Sequence, residues 1–215
     1  MTVIVHHLEN SRSQRVLWLL EELGLPYEVK RYERNKKTML APAELRQVHP
    51  LGKSPVIEDR DADGELRVIT ETGAIVEYLV EKAGGRLGAP ERRGDALLYR
   101  QFLHYAEGSL MPVLFTSLVL SRVPLLGRAA VDRFQFMVDV QIDYVEAELA
   151  RRPWFAGESF TAADVMMSYP LEAAARGRTG IRRKTHPRIF AWIEAIQARP
   201  GYLAALASGG PYAYA

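Results

Sequence analysis

The first residues that could do chemistry are Asn10-Ser11-Arg12, where an apolar strand pattern ends and a helical pattern begins. A helix N-terminus carries unpaired N–H groups and about half a positive charge, so a hydroxyl beside it can help to hold an anion. The same position suits a structural residue, because serine is a favoured N-cap that stabilises a helix by about 1 kcal/mol. The residues alone leave both interpretations of Ser11 open.

Two further segments carry groups that suit a charged ligand. Ser54-Pro55 precedes an apolar strand, a position that tolerates proline, and a cis peptide bond there would turn the N–H and C=O groups of the preceding loop toward a ligand. Glu71 comes directly before a helix that Thr72 could cap. Its carboxylate could meet an ammonium group, while Thr72 and the free N–H groups of the helix meet a carboxylate. The pair therefore suits the α-amino-acid end of a ligand.

Composition and spacing exclude several other chemistries. The chain has 215 residues and no cysteine, which excludes disulfides, thiolate metal sites and a redox thiol of the protein's own. The adjacent His6 and His7 point to opposite faces of a strand and cannot share an ion, so we expect no metal. Gly52-Lys53-Ser54 is not a phosphate-binding loop, because Gln47 replaces its first glycine. Lys and Arg number 28 against 26 Asp and Glu, so nothing indicates a nucleic-acid partner.

The sequence predicts neither secretion nor a membrane span. The N-terminus lacks the basic region and apolar core of a signal peptide. The longest apolar stretch, Leu110 to Leu120, is shorter than a bilayer span and contains Pro112. We therefore expect a cytoplasmic protein without a membrane partner.

The hydrophobic periods divide the chain into a mixed part and a helical part. Strands at 2–8 and 27–32 flank a helix at 12–23, which is a βαβ unit. The rest of the mixed part comprises a short helix at 42–48, strands at 56–58 and 66–69 joined by a hairpin turn at 61–64, and a helix from Thr72. We predict a first domain at 1–84, a glycine-containing linker at 85–94 and an all-helical domain at 95–215.

Two features are notable in the helical part. Thr161 and Asp164 have the spacing of a capping box. Gly209-Gly210-Pro211 predicts a mobile tail from Ser208 onward. The helical patterns themselves lie near 95–121, 129–151, 162–175 and 188–199.

The order of these motifs resembles that of the cytosolic glutathione transferases. The motifs are Asn10-Ser11-Arg12, His49-Pro50-Leu51-Gly52-Lys53-Ser54-Pro55, Glu71-Thr72-Gly73-Ala74-Ile75 and Phe160-Thr161-Ala162-Ala163-Asp164. The second of them and Tyr105-Ala106-Glu107-Gly108-Ser109-Leu110 are similar to segments of a fungal and bacterial subgroup. The resemblance covers nearly the whole chain. It implies an α+β thioredoxin-like domain followed by an all-α domain, usually in a homodimer.

The resemblance also implies a glutathione site in the first domain. Pro55 matches the family's cis-proline, and Ser54 or its neighbours would pair their backbone with the cysteinyl part of glutathione. Glu71 and Thr72 match the pair that holds the γ-glutamyl group. Lys53 would meet the glycyl carboxylate.

By the same resemblance, the hydroxyl of Ser11 stabilises the glutathione thiolate, with Asn10 and Arg12 as alternatives. The chain departs from the tyrosine-using and cysteine-using classes, because the first strand and the turn after it contain no tyrosine and the chain contains no cysteine. Glu107 resembles an acidic residue that reaches the γ-glutamyl ammonium of the other subunit's glutathione.

The activity implied is an enzyme that uses glutathione as co-substrate and no metal. The thiolate would attack small, mostly apolar electrophiles, and it could also reduce a peroxide. The alternatives are a non-catalytic binding protein of the same fold and a glutathione-dependent isomerase, since fold does not fix function.

Overall fold

The computed structural model describes residues 2–60, 63–125, 127–177 and 181–215. Its contacts divide the chain into two compact units, one formed by residues 1–88 with 197–215 and the other by residues 89–196. The hydrophobic pattern assigns the last of these segments, 197–215, to the helical domain, whereas the contacts group it with the first unit. Asp61 and Ala62 of the predicted hairpin turn lie outside the described residues.

A four-stranded mixed sheet is the framework of the first unit. In the order β2-β1-β3-β4, β1 (Val3–Leu8) pairs in parallel with β2 (Tyr27–Tyr32), and β3 (Val56–Arg60) is antiparallel to both β1 and β4 (Leu66–Thr70). A parallel pair needs a crossover connection, which the helix between β1 and β2 supplies. This arrangement confirms the predicted α+β architecture of the N-terminal part.

Three helices accompany the sheet in residues 2–88. α1 (Ser13–Leu23) ends at Gly24, whose φ of 59° is a left-handed conformation that glycine adopts without steric cost. α2 (Leu45–Val48) is a single turn. α3 (Thr72–Lys82) buries the apolar residues that its helical spacing predicts, namely Ile75, Val76, Leu79 and Val80.

A further helix, α9 (Pro200–Gly209), packs on α1 and was not indicated by the hydrophobic pattern. Small residues lie four positions apart along it, at Gly201, Ala205 and Gly209. A Cβ at Gly201 would come within 2.9 Å of Glu22, and one at Gly209 within 2.8 Å of Gln14. Glycine at both positions therefore allows the backbone of α9 to approach α1 closely.

Polar and aromatic contacts fix the start of α9 on α1. Arg199 donates to both oxygens of the Glu22 carboxylate, from Nε to Oε1 at 2.7 Å and from Nη2 to Oε2 at 2.8 Å. Trp18 Nε1 donates to the same carboxylate at 2.9 Å, and its ring meets Tyr202 edge-on with centroids 5.3 Å apart. A two-pronged arginine–carboxylate pair fixes orientation as well as distance.

The second unit is built from helices. They are α4 (Arg93–Tyr105), a π-helical turn (Ala106–Leu110), α5 (Met111–Ser121), α6 (Gly127–Arg151), α7 (Ala162–Arg176) and α8 (Pro187–Gln197). The run of helices confirms the predicted all-α second part. Asp164 completes the predicted capping box, because its Oδ2 accepts from the backbone N–H of Thr161 at 2.9 Å and the Thr161 side chain caps the helix in return.

Pro112 does not interrupt the apolar stretch that contains it. It is the second residue of α5 and follows the π-helical turn, so α4, the turn and α5 form one helical segment, Arg93–Ser121. By length and composition this segment could cross a membrane, a weak indication that the core helices of soluble proteins also give. The apolar stretch Leu110 to Leu120 thus lies within a longer helical segment.

Candidate active site

The turn between β1 and α1 has a constrained backbone. Asn10 has a φ of 49°, in the left-handed region that asparagine tolerates better than most residues. Arg12 lies at the N-cap of α1 with helical angles and no side-chain cap. Ser11, the expected N-cap, instead accepts a hydrogen bond from the backbone N–H of Ser13 at 3.2 Å, because the helix begins later than its sequence suggests.

A chain of hydrogen bonds connects Ser11 with His7. Burial, together with the charge of Arg31, lowers the pKa of His7 to about 4, so its ring is neutral at pH 7. Its Nδ1 lies 2.9 Å from Ser13 Oγ, and the backbone of Gly209 comes close to Nε2. His7, Ser13 and Ser11 therefore form one connected polar network.

The Ser11 hydroxyl faces inward. Its Oγ lies 2.7 Å from Ser13 Oγ, which in turn contacts His7 Nδ1 at 2.9 Å and donates to the Leu8 carbonyl at 3.3 Å. Ser11 is only 4% exposed, which agrees with an inward role. The geometry consequently favours another group of the turn as donor to a ligand.

We expect the free energy of unfolding to fall with acid because His7 is buried as a neutral ring. Its pKa is about 4 in the folded protein and near 6.5 when unfolded, so the unfolded chain binds more protons between these values. Stability is therefore complete above about pH 6.5 and decreases as the pH falls toward 4. The expected loss at about pH 5 is roughly 2 kcal/mol.

Denaturant unfolding at several pH values measures this effect. A His7→Gln variant is the control, because it removes the titrating ring and leaves His6 and the other groups in place. An equally large acid-induced loss in that variant would assign the effect to other residues.

Asn10 has its side-chain oxygen and its backbone oxygen occupied. Oδ1 accepts a hydrogen bond from the backbone N–H of Ala213 at 2.7 Å, and the backbone carbonyl accepts from Arg34 Nη2 at 3.1 Å. Because Oδ1 must be the acceptor for an N–H group, the orientation of the amide is fixed. Within the described part of the chain, no hydrogen-bond partner is found for the Nδ2 group of this half-buried side chain.

The loop before β3 is joined to the end of β1. The Ser54–Pro55 peptide bond is cis, as the resemblance implies. Ser54 Oγ donates to the carbonyl of His6 at 2.8 Å and accepts from the N–H of Leu8 at 3.3 Å. Lys53, directly before it, is exposed. The loop therefore offers a mobile cationic side chain beside backbone that is held firmly to the sheet.

Glu71 joins β4 to α3 through an unusual conformation. Its φ of 66° is rare for a residue with a side chain and costs of order 1–3 kcal/mol. Glu71 is the N-cap position of α3, and Thr72, which the sequence suggests as the cap, is the buried first residue of the helix. The Glu71 carboxylate is exposed and makes no capping hydrogen bond. Strain of this kind is common at ligand-binding positions.

The register of the sheet brings these three segments to one end. His6 of β1 is opposite Val56 of β3, and Val56 is opposite Thr70 of β4. The turn after β1, the loop before β3 and the residues after β4 therefore follow one another along that end. This end carries a cation at Lys53, an anion at Glu71 and the N-termini of two helices without side-chain caps. It suits an extended ligand with charges of both signs.

Glu107 belongs to the second unit. It lies in the π-helical turn between α4 and α5 and is partly buried. Such turns are frequent at functional positions. Across residues 2–60, 63–125, 127–177 and 181–215, no three side chains of metal-binding type form a group.

Three residues around the site have no signal in the sequence pattern. His7 reads only as one of two adjacent histidines on a strand, and Ser13 as an ordinary residue of a helix. Ala213 contributes a backbone N–H, which no residue type could reveal. The role of Ala213 follows only from its contact with Asn10, which lies far from it in the chain.

Comparison with known proteins agrees with the fold and the motifs. The family description "Glutathione S-transferase, N-terminal domain" matches residues 11–82, and "Glutathione S-transferase, C-terminal domain" matches residues 129–195. Glutathione S-transferase 3 of Schizosaccharomyces pombe is 36% identical over 212 residues, which cover 92% of this chain and 84% of that protein.

Solved structures give the same result. A crystal structure of a glutathione S-transferase from Actinobacillus pleuropneumoniae superimposes with a TM-score of 0.83 at 30% identity and covers 99% of this chain and 95% of that one. The fold is also that of Ure2p in complex with glutathione, with a TM-score of 0.79 at 23% identity over 95% of this chain and 98% of that one. Since both halves match and one relative exceeds a third identity over most of its length, this chain belongs to the glutathione S-transferase family.

Proposed function

We propose that this protein is a glutathione transferase that conjugates glutathione to small, mostly apolar electrophiles. The observation that carries the proposal is the convergence of three segments with complementary charges at one end of the sheet. Glutathione is extended and has a free α-amino-acid group at one end and a carboxylate at the other. Family membership and this charge arrangement support the same ligand.

The proposed placement of glutathione follows the three segments. Glu71 takes the γ-glutamyl ammonium, and Thr72 with the first N–H groups of α3 takes the adjoining carboxylate. The backbone beside Ser54 and cis-Pro55 pairs with the cysteinyl part. Lys53 meets the glycyl carboxylate. The sulfur then lies at the turn formed by residues 10–12.

The chemical contribution of the protein is to favour the thiolate. A free thiol has a pKa near 8.5, so little of it is ionised at neutral pH, and the thiolate is the nucleophile. The Asn10 Nδ2 group and the N-terminus of α1 stabilise the anion. The thiol proton passes to solvent, the sulfur forms a bond to the electrophilic carbon, and the leaving group departs with the bonding electron pair.

Ser11 has a supporting part in this proposal. Its hydroxyl is hydrogen-bonded to Ser13, so it helps to hold the turn, and Arg12 adds a positive charge at the start of α1. Both stay alternatives for the thiol-stabilising group, and the Ser11→Ala variant and the glutathione complex described below separate them from Asn10. Reduction of a peroxide by the same thiolate is a further prediction that the same preparations can test.

The proposal includes a homodimer in the cytoplasm. In such a dimer Glu107 would reach the γ-glutamyl ammonium of the glutathione held by the other subunit. The family resemblance supports this arrangement. Sedimentation of the purified protein tests the dimer, and Glu107→Gln should then weaken glutathione binding only if the protein is dimeric.

Calorimetry with glutathione and a conjugation assay test the proposed activity together. We expect binding in the micromolar to millimolar range and steady loss of an activated chloronitrobenzene in the presence of glutathione. Absence of heat at millimolar glutathione would overturn the proposal. Binding without turnover of any electrophile would identify a non-catalytic binding protein of the same fold.

A further inference from the structure

The C-terminal segment contacts the turn at residues 10–13, although the two are about two hundred positions apart in the sequence. Two of its residues contact the neighbouring strands: the carbonyl of Ser208 accepts from Arg31 Nε of β2 at 3.1 Å, and Gly209 lies close to His7 of β1. The N–H of Ala213 donates to Asn10 Oδ1 at 2.7 Å. The sequence predicts mobility from Ser208 onward, whereas these contacts join part of that segment to β1, β2 and the turn after β1.

The segment can act this way because α9 is anchored before it reaches the turn. The Arg199–Glu22 pair fixes one end of α9, and the close approach at Gly209 fixes the other. A Cβ on Gly209 would lie 3.3 Å from His7 Nε2, so the backbone at Gly209 comes close to that nitrogen. The carbonyl and N–H groups that follow are therefore presented at defined positions.

Each contact has a separate consequence for the turn. Gly209 holds the segment close to His7, which contacts Ser13 Oγ and, through it, Ser11 Oγ. The Ala213 N–H occupies Asn10 Oδ1, so the amide must present its NH₂ group elsewhere. The Ala213 contact therefore orients Asn10 as a donor, and the Gly209 contact keeps the segment beside the turn.

We propose that the C-terminal segment Ser208–Ala213 is a positioning element for thiol activation, which orients the Asn10 amide toward the glutathione sulfur through the backbone N–H of Ala213. The proposal rests on the proposed transferase function. Ala213 does not touch the reacting atoms and acts only through Asn10. The C-terminal segment thus affects the reactivity of Asn10, which lies in the turn between β1 and α1.

Removing a single backbone hydrogen tests the proposal in the full-length protein. Ala213 is the second residue of a turn in which the Ala215 N–H donates to the Tyr212 carbonyl at 3.3 Å, and proline is favoured at this position of a turn. Ala213→Pro therefore deletes the donor to Asn10 with little change of conformation. Ala213→Gly is the matched variant, because it alters the same residue and keeps the N–H.

The expected readout is the pKa of the thiol of bound glutathione, followed by its ultraviolet absorbance, together with kcat and KM. Ala213→Pro should raise that pKa and lower kcat about fivefold near neutral pH, with KM for glutathione within about twofold of wild type. Ala213→Gly should keep the thiol pKa and kcat closer to the wild-type values. A merely structural role would instead change thermal stability and leave the thiol pKa unmoved.

A double-mutant cycle with Asn10→Ala separates the proposal from its alternatives. If Ala213 acts through the amide, Ala213→Pro has no further effect on the thiol pKa in the Asn10→Ala background. An equal effect in both backgrounds, or no effect in either, overturns the proposal. A wild-type protein that neither binds nor conjugates glutathione overturns the transferase function itself, which is a different result.

Discussion

Asn10→Ala is expected to lower kcat/KM about 100-fold near neutral pH, because it removes the donor that stabilises the thiolate. Such a loss corresponds to a rise of about two units in the pKa of the bound thiol. KM for glutathione should change little, since the ends of the tripeptide bind elsewhere. Stopped-flow or steady-state kinetics over a range of pH measures both quantities.

Ser11→Ala is the matched control for this variant. Its hydroxyl is buried and hydrogen-bonded to Ser13, so we expect a loss in kcat below about threefold and a small loss of stability. If Ser11→Ala instead raised the thiol pKa as much as Asn10→Ala, the proton of Ser11 would have to turn outward in the complex. The assignment of the donor would then pass from Asn10 to Ser11.

Glu71→Gln is expected to weaken glutathione binding about tenfold to 100-fold, the usual cost of losing a hydrogen bond to a charged group. The change keeps the size of the side chain and leaves the backbone at positive φ. Because the carboxylate is exposed and caps nothing, the free energy of unfolding should stay near that of wild type. Calorimetric titration gives the dissociation constant, and kcat at saturating glutathione should be nearly unchanged.

Glu77→Gln is the control for the change in net charge that Glu71→Gln causes. Glu77 is an exposed residue of α3, so its substitution changes the net charge equally without altering the end of the sheet. The account requires the two variants to differ clearly in affinity. Equal affinities would show that Glu71 contributes only to the general field of the protein and does not contact the ammonium group.

Much of the first unit follows from the sequence because its signals are local. The β1–α1–β2 unit has a strand pattern, a helical pattern and the Gly24 stop within about thirty residues, and the Thr161–Asp164 capping box needs only four positions. The cis bond before Pro55 was implied by the family resemblance. These features depend on neighbouring residues or on a recognisable motif.

The features that sequence reasoning missed depend on distant contacts. α9 has a proline at its start and small residues four apart, but its pairing with α1 joins segments that are 177 positions apart at Arg199 and Glu22. α1 begins at Ser13, and Ser11 Oγ accepts from the N–H of that first residue. The buried contact of Ser13 with His7 of β1 gives no helix-start signal in the sequence.

Backbone strain marks the site better than residue type does. Asn10 and Glu71 are two of the five non-glycine residues with positive φ in the described chain, and both lie at the same end of the sheet. Neither conformation follows from a local sequence preference strong enough to predict it. Strained residues persist where surrounding structure holds them, which is typical of binding sites.

A crystal structure of the protein with glutathione bound is the most direct test of the central claim. The account predicts the sulfur at hydrogen-bond distance from Asn10 Nδ2, with the Ala213 N–H still on Oδ1 and the Ser11 hydroxyl still facing Ser13. A sulfur atom that contacts Ser11 Oγ or the Arg12 guanidinium, or that lies away from residues 10–12, would contradict it.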